Sequence, residues 1–158
     1  MPLLDYPSMA YAQLREVFDK IRRVHQEAAQ CCANLADGPD QRLSLLADLF
    51  RKRERAFARR LKAFEVSEHA SLLDTWVQYV PFEGVDETLA ALQADRAQGS
   101  SATLKACLEL QQRIARFLRE LADNLSAPKA HDFLQSLADS EESAVKDFGM
   151  AMLTENDA

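Results

Sequence analysis

From residue 14 onward the apolar residues return every seventh position in three adjacent rows: Leu14, Ile21, Ala28 and Leu35; Val17, Val24 and Cys31; Phe18, His25 and Cys32. Only a helix gathers residues at that spacing onto one face. The pattern therefore predicts a long amphipathic helix from about Ser8 to Ala36. The segment "DGPD" stops it. Asp40 and Ser44 then offer N-terminal caps for a second helix, which carries Leu43, Leu46, Phe50, Phe57, Leu61 and Phe64 on one face and ends between Phe64 and Glu68.

The rhythm breaks between about residues 66 and 100. There "SLLDTWVQYVPFEG" predicts a short apolar helix closed by Pro81 and Gly84, and "VDETLAALQADRAQG" a second one, capped by Asp86 and ended by Gly99. Both belong to a structured crossover. A third long helix starts at Ser100 or Ser101 with Leu104, Leu108, Ala115, Leu118, Ala122 and Leu125 inward. A fourth follows the tight "NLSAPKA" turn, with Leu134, Ala138, Glu141, Val145, Phe148 and Met152 in its inward row. Short, long and short connections between four long helices are those of a bundle with one crossover. One domain is expected over 1–158, with a hairpin at 8–66, a crossover at 67–100 and a second hairpin at 101–154. "NLADG" and "ELADN" end the first helices of the hairpins, while "LLADLFRKRERAF" and "SLADSEESAV" lie in the second ones, a weak internal repeat.

Composition agrees with an all-α fold: the 158 residues are 47% hydrophobic and include only 4 Gly and 5 Pro. A formal net charge of -6 argues against nucleic-acid binding. No stretch has the length of a membrane span, and no secretory signal is read at the start, so a cytoplasmic location is expected. The 3 Cys do not form a disulfide framework. Adjacent Cys31 and Cys32 would point about 100° apart on a helix and, with Cys107, read as small core residues.

With "FRKRERAFARRLKAF" and "LADSEESAVKDF" in the second helix of each hairpin, the chain resembles the ferritin-like superfamily, in the style of bacterial rubrerythrin-like proteins. The resemblance rests on layout and apolar pattern over almost the whole chain. It implies a ferritin-like four-helix bundle and, in that family, a di-metal centre built from one carboxylate on each of two helices and a Glu-x-x-His on each of the others. That motif is missing. Three residues after Glu54, Glu141 and Glu142 stand Phe57, Ala144 and Val145, and Glu27 and Glu109 point away from the apolar rows. The metal centre is therefore expected to be degenerate or absent.

An acid in the middle of an apolar stripe needs a partner, because an unpaired buried carboxylate costs several kcal/mol or stays protonated. The helix midpoints align His25 with Gln111 and Arg53 with Glu141. These four residues are expected to form an internal polar layer in which Glu141 faces Arg53. Three alternatives stay open: Arg53 reaches water, His25 ligates a metal, or the last helix is rotated so that Glu142 faces inward.

Arg51, Lys52, Arg55, Arg59 and Lys62 lie opposite the apolar stripe of the second helix, a solvated face that could also receive an anion or a partner. Trp76, Tyr79, Val80 and Phe82 are expected to seal the crossover. Leu72, Leu73, Trp76 and Leu92 are expected to stay exposed there and support a homodimer. No catalytic or cofactor-binding residue is identified, and the reading leans away from an enzyme. The expected function is a non-enzymatic interaction or scaffold protein, without nucleic-acid or membrane partners. The alternative is an iron- or manganese-binding protein with a reduced site using His25 and Glu141 with Glu54 or Glu142.

Overall fold

The computed structural model describes residues 10–36, 41–79, 83–95 and 101–157. Strand β1 (Ala10–Gln13) leads into α1 (Leu14–Ala36) and α2 (Gln41–Glu65). A 3-10 turn (Ala70–Asp74), strand β2 (Trp76–Tyr79) and α3 (Glu83–Asp95) form the crossover, before α4 (Ser101–Asp123) and α5 (Pro128–Asp157). The class is all-α, with one small β ribbon. Antiparallel neighbours α1 and α2 pack together, as do α4 and α5; α2 also meets α5, and α3 lies along α4 and α1. No helix among the described residues is long and apolar enough to cross a membrane.

Two expectations are corrected at the ribbon. Residues 10–13 are a strand, not the first turn of α1, and the "TWVQY" segment is a strand, not a short helix. The two strands pair antiparallel, with Tyr11 opposite Gln78 and Ala12 opposite Val77. The physical reason is a change of period: Ala12 and Val77 are buried while Tyr11, Trp76 and Gln78 are exposed, an alternation of two that a helix cannot produce. The sevenfold rows begin only at Leu14. The Leu14 amide donates to Thr75 O at 2.9 Å, and Arg15 pairs with Asp74 at 2.9 Å, which ties the entrance of α1 to the crossover.

Several crossover positions also differ from expectation. Leu73 and Leu92 are buried, because α1 and α4 cover the crossover; Trp76 does not seal it and stands 65% exposed. Val77, its neighbour on the opposite face, is the residue that points inward. Val80 and Phe82 lie outside the described residues, as do 37–40 and Gly99; the side chains of Cys32, Leu35, Leu43, Leu46, Tyr79, Leu104 and Met152 are likewise outside them. The helix predicted to be capped by Asp86 already runs from Glu83.

The turn between α4 and α5 follows from local chemistry. Asn124 and Leu125 amides donate to Leu121 O and Ala122 O, and the His131 ring sits 2.7 Å from Ala122 O, giving that carbonyl at the helix end a second partner. Pro128 then starts α5, where a missing N–H costs nothing.

The core has three levels. Phe18, Phe64 and Phe133 cluster at one end, where Phe64 and Phe133 stack with centroids 4.2 Å apart and Phe18 meets Phe64 edge-on. Phe50 meets Phe148 edge-on at the other end, on the side of the buried thiols Cys31 and Cys107. Between these apolar ends lies a polar level.

Candidate functional site

Each of the four long helices sends one polar side chain into the core near its midpoint: His25 from α1, Glu54 from α2, Gln111 from α4 and Glu141 from α5. They are between 1% and 5% exposed, so water reaches none of them freely. His25 Nδ1 lies against Glu54 Oε2. The opposite ring nitrogen, Nε2, faces Glu141 Oε1 at 3.8 Å, beyond hydrogen-bond reach. Gln111 Nε2 donates to the other Glu54 oxygen at 3.4 Å. Phe57, one helical turn after Glu54, lies flat against the imidazole with a centroid distance of 4.0 Å and an interplanar angle of 6°. The ring is thus held in one plane with a carboxylate at each edge.

The layer corrects one expected member. Arg53 does not enter it: the guanidinium lies on the surface, 44% exposed, and pairs with Asp147 at 3.2 Å. Glu54 takes the place instead. The spacing of α2 explains this, because Phe50, Glu54, Phe57 and Leu61 follow one another at intervals of four and three, whereas Arg53 is a full helical step off that line. Of the other three expected members, His25 and Glu141 face each other at 3.8 Å, and Gln111 is buried at the same level with Glu54 as its partner. The rotation of the last helix is also decided: Glu142 is exposed and pairs with Arg119 at 2.8 Å, while Glu141 points inward.

Charge in the layer is set mainly by burial. Desolvation lowers the His25 pKa to about 3, so the imidazole is neutral near neutral pH. Desolvation raises the Glu141 pKa to about 8, against the weaker opposite pull of the Arg60 guanidinium, so this carboxyl carries its proton there. Arg60 was not foreseen as a neighbour. It reaches past the end of the layer to α5, where it donates to Ser136 Oγ at 2.6 Å and to Ser136 O at 3.5 Å. No periodic signal marks such a residue, because it sits beside the apolar stripe and acts through length.

Polar satisfaction is incomplete. His25 Nδ1 and Nε2, Glu54 Oε2, Gln111 Oε1 and Glu141 Oε2 are buried without a hydrogen bond, the contact between His25 and Glu54 lacking hydrogen-bond geometry. Each orphaned buried group costs on the order of 1 to 3 kcal/mol, so this level is the least favourable part of the core. No protein-family model, curated protein or solved structure matches the chain. The site must therefore be judged on its own chemistry.

That chemistry does not fit a di-metal centre. The donors are one imidazole, two carboxylates and an amide, and the two carboxylates face opposite edges of the imidazole ring and not a shared point. Among the described residues no group of three or more His, Cys, Asp or Glu has the arrangement of a metal site. Glu27 of α1 and Glu109 of α4 lie on the surface, where Glu27 accepts from Gln93 at 3.4 Å.

A second concave feature lies on the outside. A groove of about 320 Å³ between α4 and α5 has Ala115 and Val145 on its floor and Arg116, Arg119, Glu120 and Glu142 along its walls. Arg119 is tied down by Asp139 at 2.7 Å as well as by Glu142. The groove therefore presents balanced charge.

Proposed function

We propose that the chain is a non-enzymatic interaction or scaffold protein of the bacterial cytoplasm, built on a ferritin-like four-helix bundle in which a polar layer stands where related proteins hold metals. The observation that supports this reading is the imidazole of His25 set between the Glu54 and Glu141 carboxylates. The two carboxyl groups face opposite ring nitrogens and not a shared point, which supports a layer without a bridged pair of ions. The layer is also sealed from solvent, so no substrate meets it. Its role is then structural: four unlike side chains, one per helix, fix the rotation and level of the helices against each other.

The competing reading is an iron- or manganese-binding protein, and the orphaned atoms of the layer are what favours it. Metal analysis separates the two. Protein produced in iron-supplemented medium and desalted is expected to carry far less than one metal per chain. Two iron or manganese ions per chain would establish the competing reading.

Self-association belongs to the same proposal. With Leu73 and Leu92 buried, the exposed aromatic pair Tyr11 and Trp76, 68% and 65% exposed on the outer face of the ribbon, supplies the contact for a homodimer. Sedimentation velocity at high concentration is expected to give twice the monomer mass. A monomer there would reject the dimer.

A further inference from the structure

The outer face of α2 carries a row that the fold leaves unused. Lys52, Arg55, Arg59 and Lys62 are all exposed and follow one another at spacings of three, four and three, which places them in one line along the helix. The line covers about 15 Å. Among the described residues none of these four side chains enters an ion pair, a condition shared by other exposed cations such as Arg23, Arg113 and Arg116; what sets the four apart is their alignment on one helix face. Arg51, expected on this face, leaves it: it is half-buried and bound to Asp48. In a chain of formal net charge -6, four cations in register on one helix face are a local concentration of positive charge and not a general excess.

Two further residues bracket the row. Leu45, 68% exposed, lies on the same side of α2 as the cations near the start of the helix, and Val66, 71% exposed, is the first residue past its end, where its amide donates to Lys62 O at 3.2 Å. With Tyr11, Trp76 and Met150 they are the large apolar residues that stand most exposed among the described residues. The opposite face of α2 is locked into the core by Phe50, Phe57 and Leu61, so the row is rigidly held.

We infer that this face docks an acidic amphipathic helix of a partner protein, with carboxylates along its middle and an apolar residue near each end. The charge complementarity is positional. Acids at three-four-three spacing on a second helix recur at the same pitch as the four cations. The apolar ends decide between polyanions: a nucleic-acid backbone matches the cations but offers nothing to Leu45 and Val66. A membrane surface needs an unbroken apolar stripe, and here charges fill the space between the two aliphatic residues. The inference rests on the interaction-protein reading and supplies its partner class.

The test uses the full chain and a fluorescein-labelled synthetic helix of about six turns, with Glu at three-four-three spacing and Leu at both ends of one face. Fluorescence anisotropy is expected to show binding at low salt that weakens at least about tenfold near 0.3 M salt. Arg55→Glu with Arg59→Glu is expected to weaken it about a hundredfold, and Leu45→Ser with Val66→Ser about tenfold. Circular dichroism checks that each variant folds; should charge reversal prevent folding, Arg55→Gln with Arg59→Gln carries the same test. The inference is overturned by no binding at low salt, by equal binding of a peptide with the same acids spread around the helix, or by equal binding of a single-stranded oligonucleotide or of phosphatidylserine vesicles. Failure here with metal-free protein removes the face alone, whereas two metals per chain would remove the underlying reading whatever the peptide does.

Discussion

The free energy of unfolding is expected to hold level between about pH 4.5 and 6.5 and to fall on the alkaline side up to about pH 8. Two groups of the polar layer act in opposite directions. Glu141 has a folded pKa raised from 4.5 to about 8, so between those values the folded state holds a proton that the unfolded state has released, and stability falls as pH rises. His25 has a folded pKa lowered from 6.5 to about 3, so between those values the unfolded state holds the extra proton and stability rises with pH. Where the windows overlap the two slopes cancel. Above pH 6.5 only Glu141 remains, and its limb amounts to about 2 kcal/mol by pH 8. Below pH 4.5 only His25 remains, and its limb has the opposite sign, joining the general acid decline of a protein rich in ion pairs. Urea unfolding across this range measures both. Glu141→Gln, which cannot ionise, is expected to remove the alkaline limb; a limb that survives the substitution would assign it to another group.

A larger effect is expected inside the layer at pH 6, where Glu141 is protonated. Glu54→Leu leaves His25 and the Gln111 amide without their carboxylate, and His25→Leu leaves Glu54 buried beside no imidazole. Each is expected to cost about 3 to 5 kcal/mol. The double change removes both groups and fills the space with apolar volume, so most of the loss should return, with a coupling of about 2 kcal/mol or more. Arg53→Met is the contrast. Its side chain makes an exposed pair with Asp147, and the change is expected to cost no more than about 1 kcal/mol and to add independently to Glu141→Leu. Equal coupling for Arg53 with Glu141 and for His25 with Glu54 would contradict the arrangement of the layer.

Legibility differs along the chain for physical reasons. The long helices were readable because each has one buried face, and burial imposes a repeat near 3.6 residues over more than twenty positions. Glu141 and His25 were readable for the same reason, as polar residues on apolar rows. Glu54 was equally visible in principle, filling the gap between Phe50 and Phe57, but an acid next to an arginine in a highly charged stretch draws attention to the cation. Charge complementarity points to a guanidinium opposite Glu141, whereas packing turns Glu54 inward and leaves Arg53 at the surface. The ribbon was hidden for another reason. Four residues give two turns of alternation at most, and the pairing of Ala12 with Val77 spans the whole first hairpin, so no local window contains the signal.

The ribbon also determines what light can report about this molecule. Its sequence has 1 Trp, and Trp76 stands on the outer face of β2 with its indole already in contact with water. The rings that build the core are phenylalanines and a histidine, which barely emit. Tryptophan emission is therefore a gauge of whatever covers the ribbon, a second copy included, and is nearly blind to the melting of the interior. Far-ultraviolet dichroism sees the helices and not the indole. Recorded together, the two signals resolve events at the crossover from events in the core without any label being attached.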